Sequence, residues 1–340
     1  MPVRPSKCPF DSRTAGVPDL MAQSPTLFSS LKIGAFDLAH RIVMPAMTRC
    51  RSAAPDGVPT RLMARYYAER STVGGLLISE ATCVCASGHC DRRMPGLYTA
   101  QQVNRWREAT RAVHDNGGVI LAQLTFMSQR PSERHDLDAA INAYRSAAEN
   151  AGDAGFDGVE LHATHGALPD LFIRGHATAE QGDYAGNSEN RARLLVEILE
   201  TLEGVQGTDR VGICLSLDAR DPGNDALCRA LAALPMQHIA YAHVAPSWRL
   251  GLPVPEEVAP VPIELVRSAF GGRLILSGGY TTRLANSCIG AGSADAVGFG
   301  RLFVANPDLP RRLFTGMPLA DFDPASLYTG GAQGYVGQAA

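Results

Sequence analysis

The sequence predicts a single (β/α)8 barrel of the TIM type, with a shortened lid after the third strand. Three observations carry this expectation. Short apolar runs recur along the chain, helix-periodic stretches lie between them, and the last two runs end in glycine-bearing turns. A length of 340 residues is long for one ordinary domain but normal for one such barrel.

The apolar runs are 41–46, 75–80, 119–124, 158–162, 211–216, 238–244, 273–277 and 294–300. Most are nearly continuous, as parallel strands buried on both faces require. Helix periodicity occupies 101–116, 137–154, 189–203 and 262–270, with glycine stops at Asn116-Gly117-Gly118 and Ala154-Gly155. An open doubly wound sheet is the competing architecture, but no Gly-x-Gly-x-x-Gly turn follows the first strand. Residues 1–25, rich in Pro, Ser and charge, read as an N-terminal tail, and 26–340 as the barrel.

Composition narrows the function classes. Hydrophobic residues make up 45% and charged ones 19%, which supplies a large core and argues against disorder. A net charge of -3 provides no basic field for nucleic acid or an anionic membrane. No apolar run reaches transmembrane length, and 1–25 lacks the apolar centre of a signal peptide. Of eight cysteines, Cys8, Cys50, Cys214, Cys228 and Cys288 are scattered. Cys83, Cys85 and Cys90 cluster beside His89 with a spacing unlike the zinc patterns. The expectation is therefore a cytoplasmic protein with eight reduced thiols and no metal.

In a barrel, chemistry sits where strands end. The seventh run ends in Ser277-Gly278-Gly279-Tyr280 and the eighth in Gly298-Phe299-Gly300-Arg301. Glycines let backbone N–H groups approach an anion, and the arginine adds a charged fork of donors. Phosphate binding is the favoured reading. The plainer one makes the glycines tight turns and pairs Arg301 with Asp308. The fourth run ends in His162-Ala163-Thr164-His165. Residues i and i+3 of a strand point to opposite faces, so a metal shared by this pair would require a bend. Two donors at the mouth suit an oxyanion or carbonyl better than a metal, although packing also accounts for them. Thr48 after the first run and Gln123 at the end of the third suit the carbonyl and N–H edges of a heteroaromatic ring.

These segments resemble the Old Yellow Enzyme family. The resemblance rests on Leu27-Phe28, Arg41-Ile42-Val43-Met44-Pro45 with Met47-Thr48-Arg49, and Ile78-Ser79-Glu80-Ala81-Thr82. It continues in Gly155-Phe156-Asp157-Gly158-Val159-Glu160, Ser188-Glu189-Asn190-Arg191 and the run from Gly298 to Leu309. It implies an FMN-dependent reductase of α,β-unsaturated carbonyl compounds, with NADPH as reductant. It also implies a phosphate site at Gly279, Gly300 and Arg301, and ring contacts from Ala46, Met47, Thr48, Ala81 and Gln123. Gly278, Cys214 and Tyr328 complete the cofactor-facing set. His162 and His165 would hold the carbonyl oxygen of a small-molecule substrate.

Three departures touch the chemistry. Ala167 stands where the family has a proton-donating tyrosine. Cys214 stands where it has an arginine beside the flavin, so Arg220 or Arg249 would have to supply a cation. After Gln123-Leu124, Thr125-Phe126 replaces the usual Trp-His, and only 125–136 precedes the next helix. That shortening predicts a more open pocket. A flavin-independent enzyme, an isomerase, cyclase or eliminase using His162 and His165, is the alternative that these losses raise. Oligomeric state is open.

Overall fold

Strands β3 (Ile42–Met44), β4 (Leu76–Ile78), β6 (Val119–Thr125), β7 (Gly158–Ala163), β8 (Val211–Leu217), β9 (Tyr241–Pro246), β10 (Leu274–Ser277) and β11 (Ala296–Gly298) form the barrel of the computed structural model. Each pairs in parallel with the next, and β11 returns to β3 through Val297 opposite Ile42, so the sheet has no free edge. The short β5 (Thr82–Cys83) continues the β4 side along Leu124 and Thr125 of β6. The structure describes residues 26–88, 90, 93–127, 134–176, 179–217, 224–233, 239–246 and 263–337. The 1–25 tail, Cys8, His89, Arg220 and Arg249 lie outside these residues.

Strand alternation sorts the core into two layers. Val43, Ile78, Leu121, Tyr241, Ile275 and Ala296 point inward. Their neighbours Ile42, Met44, Ile120, Ala122, Val159 and Leu161 face the surrounding helices. A hairpin of β1 (Leu31–Ile33) and β2 (Phe36–Leu38) contributes Leu31, Ile33, Phe36 and Leu38 to the inner layer, which closes the N-terminal end of the barrel. Helices α1 (Arg61–Arg70), α2 (Ala100–His114), α3 (Arg134–Asp153), α4 (Leu168–Ile173) and α5 (Ser188–Gln206) cover the first half. The second half carries α6 (Asn224–Ala233), α7 (Ile263–Ala269), α8 (Thr282–Gly290), α9 (Gly300–Ala305) and α10 (Leu309–Thr315).

Local chemistry sets the helix starts. Thr99 and Gln102 form a reciprocal capping box at α2, and Asn187 accepts from the Asn190 N–H at α5. The expected strands and helices therefore appear within a few residues of their sequence positions. Among the described residues, no helix is long and apolar enough to cross a membrane.

One expectation is corrected. Cys83 and Cys90 are joined by a disulfide, not held as two thiols. The loop after β5 turns back on itself and sets their Cα atoms 6.4 Å apart, within bonding reach. Among the described residues no other disulfide is formed.

Candidate active site

Because all eight barrel strands run the same way, their C-terminal ends converge on one mouth. β7 delivers His162 there, 8% exposed. The chain then bends, and His165 adopts a φ of 55°, in the left-handed region that a side chain seldom occupies. The bend brings the two imidazole rings to 6.0 Å between centroids. Strand geometry alone would have kept them on opposite faces. His162 Nδ1 lies 2.9 Å from the hydroxyl of Thr125, the last residue of β6. Burial, reinforced by His165, pushes the His162 pKa down to about 3, so its imidazole is neutral at physiological pH.

Beneath the pair lies a buried polar network. Gln123 Nε2 donates to Glu160 Oε1 at 2.7 Å, and the Tyr241 hydroxyl donates to Glu160 Oε2 at 3.0 Å. His243 bridges the same oxygen through Nδ1 at 3.0 Å and the Ser277 hydroxyl through Nε2 at 2.7 Å. Gly212 makes room for this arrangement, since a Cβ there would lie 2.3 Å from the Tyr241 ring. Cys214 is level with His162 on one side and His243 on the other. Ligand atoms of Glu160, Cys214 and His243 fall within 4.8 Å of one another. Both Glu160 oxygens and both His243 nitrogens are already engaged, so hydrogen bonding accounts for the cluster.

This network joins residues that the sequence reading singled out to residues it did not assign. Tyr241 and His243 were missed, and Glu160 and Ser277 were seen only as parts of longer segments. A signal was available. A carboxyl group inside a continuous apolar strand survives burial only with partners, and Glu160 is 0% exposed.

The β10 and β11 ends form a second part of the mouth. Gly278 and Gly279 have φ of 120° and 80°, and a Cβ on Gly279 would meet nothing within 4 Å. The turn is therefore open above its backbone, as a close-approaching phosphate requires. Gly300 begins α9 with Arg301 exposed in its first turn. Met47 fills the space a side chain at Gly300 would take, its sulfur 2.7 Å from the Cβ position. Ala46, Met47 and Thr48 are half-buried after β3, and Ala81 is buried after β4. Asp308 binds Arg312 at 2.6 Å.

Tyr328 lies half-buried in the C-terminal segment, its hydroxyl inaccessible and without a hydrogen-bond partner among the described residues. Arg49 and Arg51 hold that segment by donating to the Leu327 carbonyl at 3.1 and 2.6 Å.

The three departures have distinct structural settings. Ala167 is 0% exposed and bridges Met127 in antiparallel fashion, with Leu168 N–H bound to Phe126 O at 2.8 Å. Phe126 and Met127 thus run alongside Ala167, while 128–133 of the short segment lie outside the described residues. Cys214 is 4% exposed, its thiol pKa raised well above the ordinary value by burial and then by Glu160 and Asp170. A cation absent from the sequence reading stands nearby. Arg174 of the turn after α4 pairs with Asp170 at 2.7 Å and donates to the Ser216 hydroxyl at 2.8 Å, two residues beyond Cys214.

A family model described as NADH:flavin oxidoreductase / NADH oxidase family matches residues 26–136 and 127–320. The chain belongs to this family of Old Yellow Enzymes. The 12-oxophytodienoate reductase 1 of Oryza sativa subsp. japonica is 32% identical over 343 residues, 89% of this chain and 90% of that protein. The old yellow enzyme homologue from Zymomonas mobilis superposes with a TM-score of 0.84 at 33% identity, covering 92% of this chain and 98% of its own. Morphinone reductase gives a TM-score of 0.82 at 31% identity, covering 92% and 95%. The family's cofactor is FMN with a nicotinamide reductant. The open turn at Gly278 and Gly279 fits the phosphate of that group.

Proposed function

We propose that the chain is an FMN-dependent, NADPH-consuming reductase of C=C bonds conjugated to a carbonyl, acting in the cytoplasm. The observation that carries this reading is the neutral His162 brought beside His165 at the mouth that also holds the Gly278–Gly279 turn. Gly279, Gly300 and Arg301 would hold the phosphate, and Ala46, Met47, Thr48, Ala81, Gln123 and Tyr328 would bound the ring. Held there, FMN would supply the hydride chemistry that links a nicotinamide reductant to the β-carbon of the alkene.

His162 and His165 orient the carbonyl oxygen and withdraw electron density from the alkene by hydrogen bonding to it. A neutral imidazole does this with a single N–H, without transferring its proton. Ala167 offers no proton, so another group or water must protonate the α-carbon. The neighbours of Cys214 are a carboxyl, an imidazole and, at Ser216, the Arg174 guanidinium. The flavin-independent alternative finds no support among the relatives.

The test is a visible spectrum of the purified protein before and after FMN is added. A flavin band that NADPH bleaches anaerobically and 2-cyclohexenone restores supports the reading. A colourless protein that takes up no FMN overturns it. His162→Ala should slow the enone step by about 10²–10³-fold, the scale for one lost oxyanion donor.

A further inference from the structure

Thr125 is completely buried at the end of β6, and its hydroxyl has one hydrogen-bond partner among the described residues, His162 Nδ1 at 2.9 Å. His162 is neutral and carries one ring proton, on either Nδ1 or Nε2. With the proton on Nδ1, the Thr125 oxygen must accept it. The threonine's own proton then has no acceptor among the described residues, which is unfavourable for a buried hydroxyl. With the proton on Nε2, Nδ1 accepts from Thr125 and every group at this contact is satisfied. Nε2–H is also the form that can donate to a carbonyl oxygen, while a bare Nε2 would repel it.

We propose that Thr125 is a positioning residue that holds His162 in its Nε2–H form and aims that proton at the substrate carbonyl. The proposal rests on the role given to His162 above. It is peculiar to this chain's Thr125-Phe126 pair, since the tryptophan that the family resemblance implies at this position has no hydroxyl to offer. The contact also ties β6 to β7 at the mouth, where Gln123 and Glu160 already join the same strands one layer deeper.

The experiment combines nitrogen NMR of histidine-labelled, FMN-loaded protein with enone kinetics, in wild type, Thr125→Val and Thr125→Ser. The expected result is His162 protonated at Nε2 in wild type, displaced toward Nδ1–H in Thr125→Val, and restored in Thr125→Ser. Enone turnover should fall about 10–100-fold in the valine variant, as when a second partner of a functional histidine is lost. Thr125→Ala gives the same reading if the valine variant fails to hold FMN. An Nδ1–H form in wild type, or a ring form unmoved by either variant, overturns the proposal. A moved ring form with enone turnover intact in Thr125→Val and in His162→Ala would overturn the role of His162 and leave the tautomer assignment standing.

Discussion

Ala167 illustrates how one residue can depart from a family's chemistry and still be tightly accommodated. Its side chain is 0% exposed, and the chain at Phe126 and Met127 lies across it. Restoring the aromatic ring should fail for that reason. Ala167→Tyr is expected to destabilise the protein by about 1–3 kcal/mol, the usual cost of overpacking, without raising enone turnover. Thermal unfolding and steady-state kinetics decide this, and a stable, faster variant would show that the space exists.

At the scale of elements, the C-terminal segment is a strap across the loop after β3, and buried arginines fasten it. The Arg49 guanidinium donates to the carbonyls of Leu327 and Gly334 at 3.1 and 2.8 Å. It lies 5.3 Å from the centroid of the Tyr66 ring and 5.0 Å from that of Tyr335. Those rings stack on each other at 4.1 Å, and Arg70 sits 3.7 Å over Tyr66 while donating to the Phe303 and Val304 carbonyls that end α9. Strap, α1 and α9 therefore form one unit, with Tyr328 half-buried in the strap. Arg49→Met keeps the bulk and removes the donors. It should cost about 2–3 kcal/mol, the scale of lost charged hydrogen bonds, and make 324–337 the first site of limited proteolysis. FMN affinity should fall with it, while cleavage unchanged from wild type would refute the strap.

For the whole molecule, pH acts through groups whose burial has opposite signs. Burial lowers the pKa of His40 to about 4 and of His162 to about 3. The unfolded chain binds these protons first, so the stability they confer is complete above 6.5 and is lost as pH falls toward those values. Glu80 runs the other way. Burial raises it to about 7, against hydrogen bonds from the Arg49 and Cys50 N–H groups and the charges of Arg49 and Arg51. Its contribution is complete below 4.5 and is lost as pH rises through about 7. Glu80→Gln removes only the second term. The stability of Glu80→Gln relative to wild type should therefore climb between pH 4.5 and 7 and level off above. Denaturant titrations at several pH values test this, and a pH-independent difference would mean that Glu80 is ionised in the fold throughout.

By itself the sequence determined the elements of the fold and the ends at which chemistry gathers. Apolar runs such as 119–124 and 211–216, and the glycines at 278, 279 and 300, carry their information locally, in hydrophobicity and backbone freedom. It also marked His162 and His165, but not the bend that unites them. Only the tertiary structure decided which distant residues meet. Glu160 finds Tyr241 and His243, Arg49 finds Leu327 and Gly334, Thr125 finds His162, and Cys83 closes on Cys90. Ala167, read as a bare loss, proved to be a packed contact, and Arg174 brings a cation to Ser216 on the strand that carries Cys214. The physical reason is barrel closure. Strand pairing and register set distances between residues far apart in the chain, and buried polar groups take whichever partners that register brings within hydrogen-bond reach.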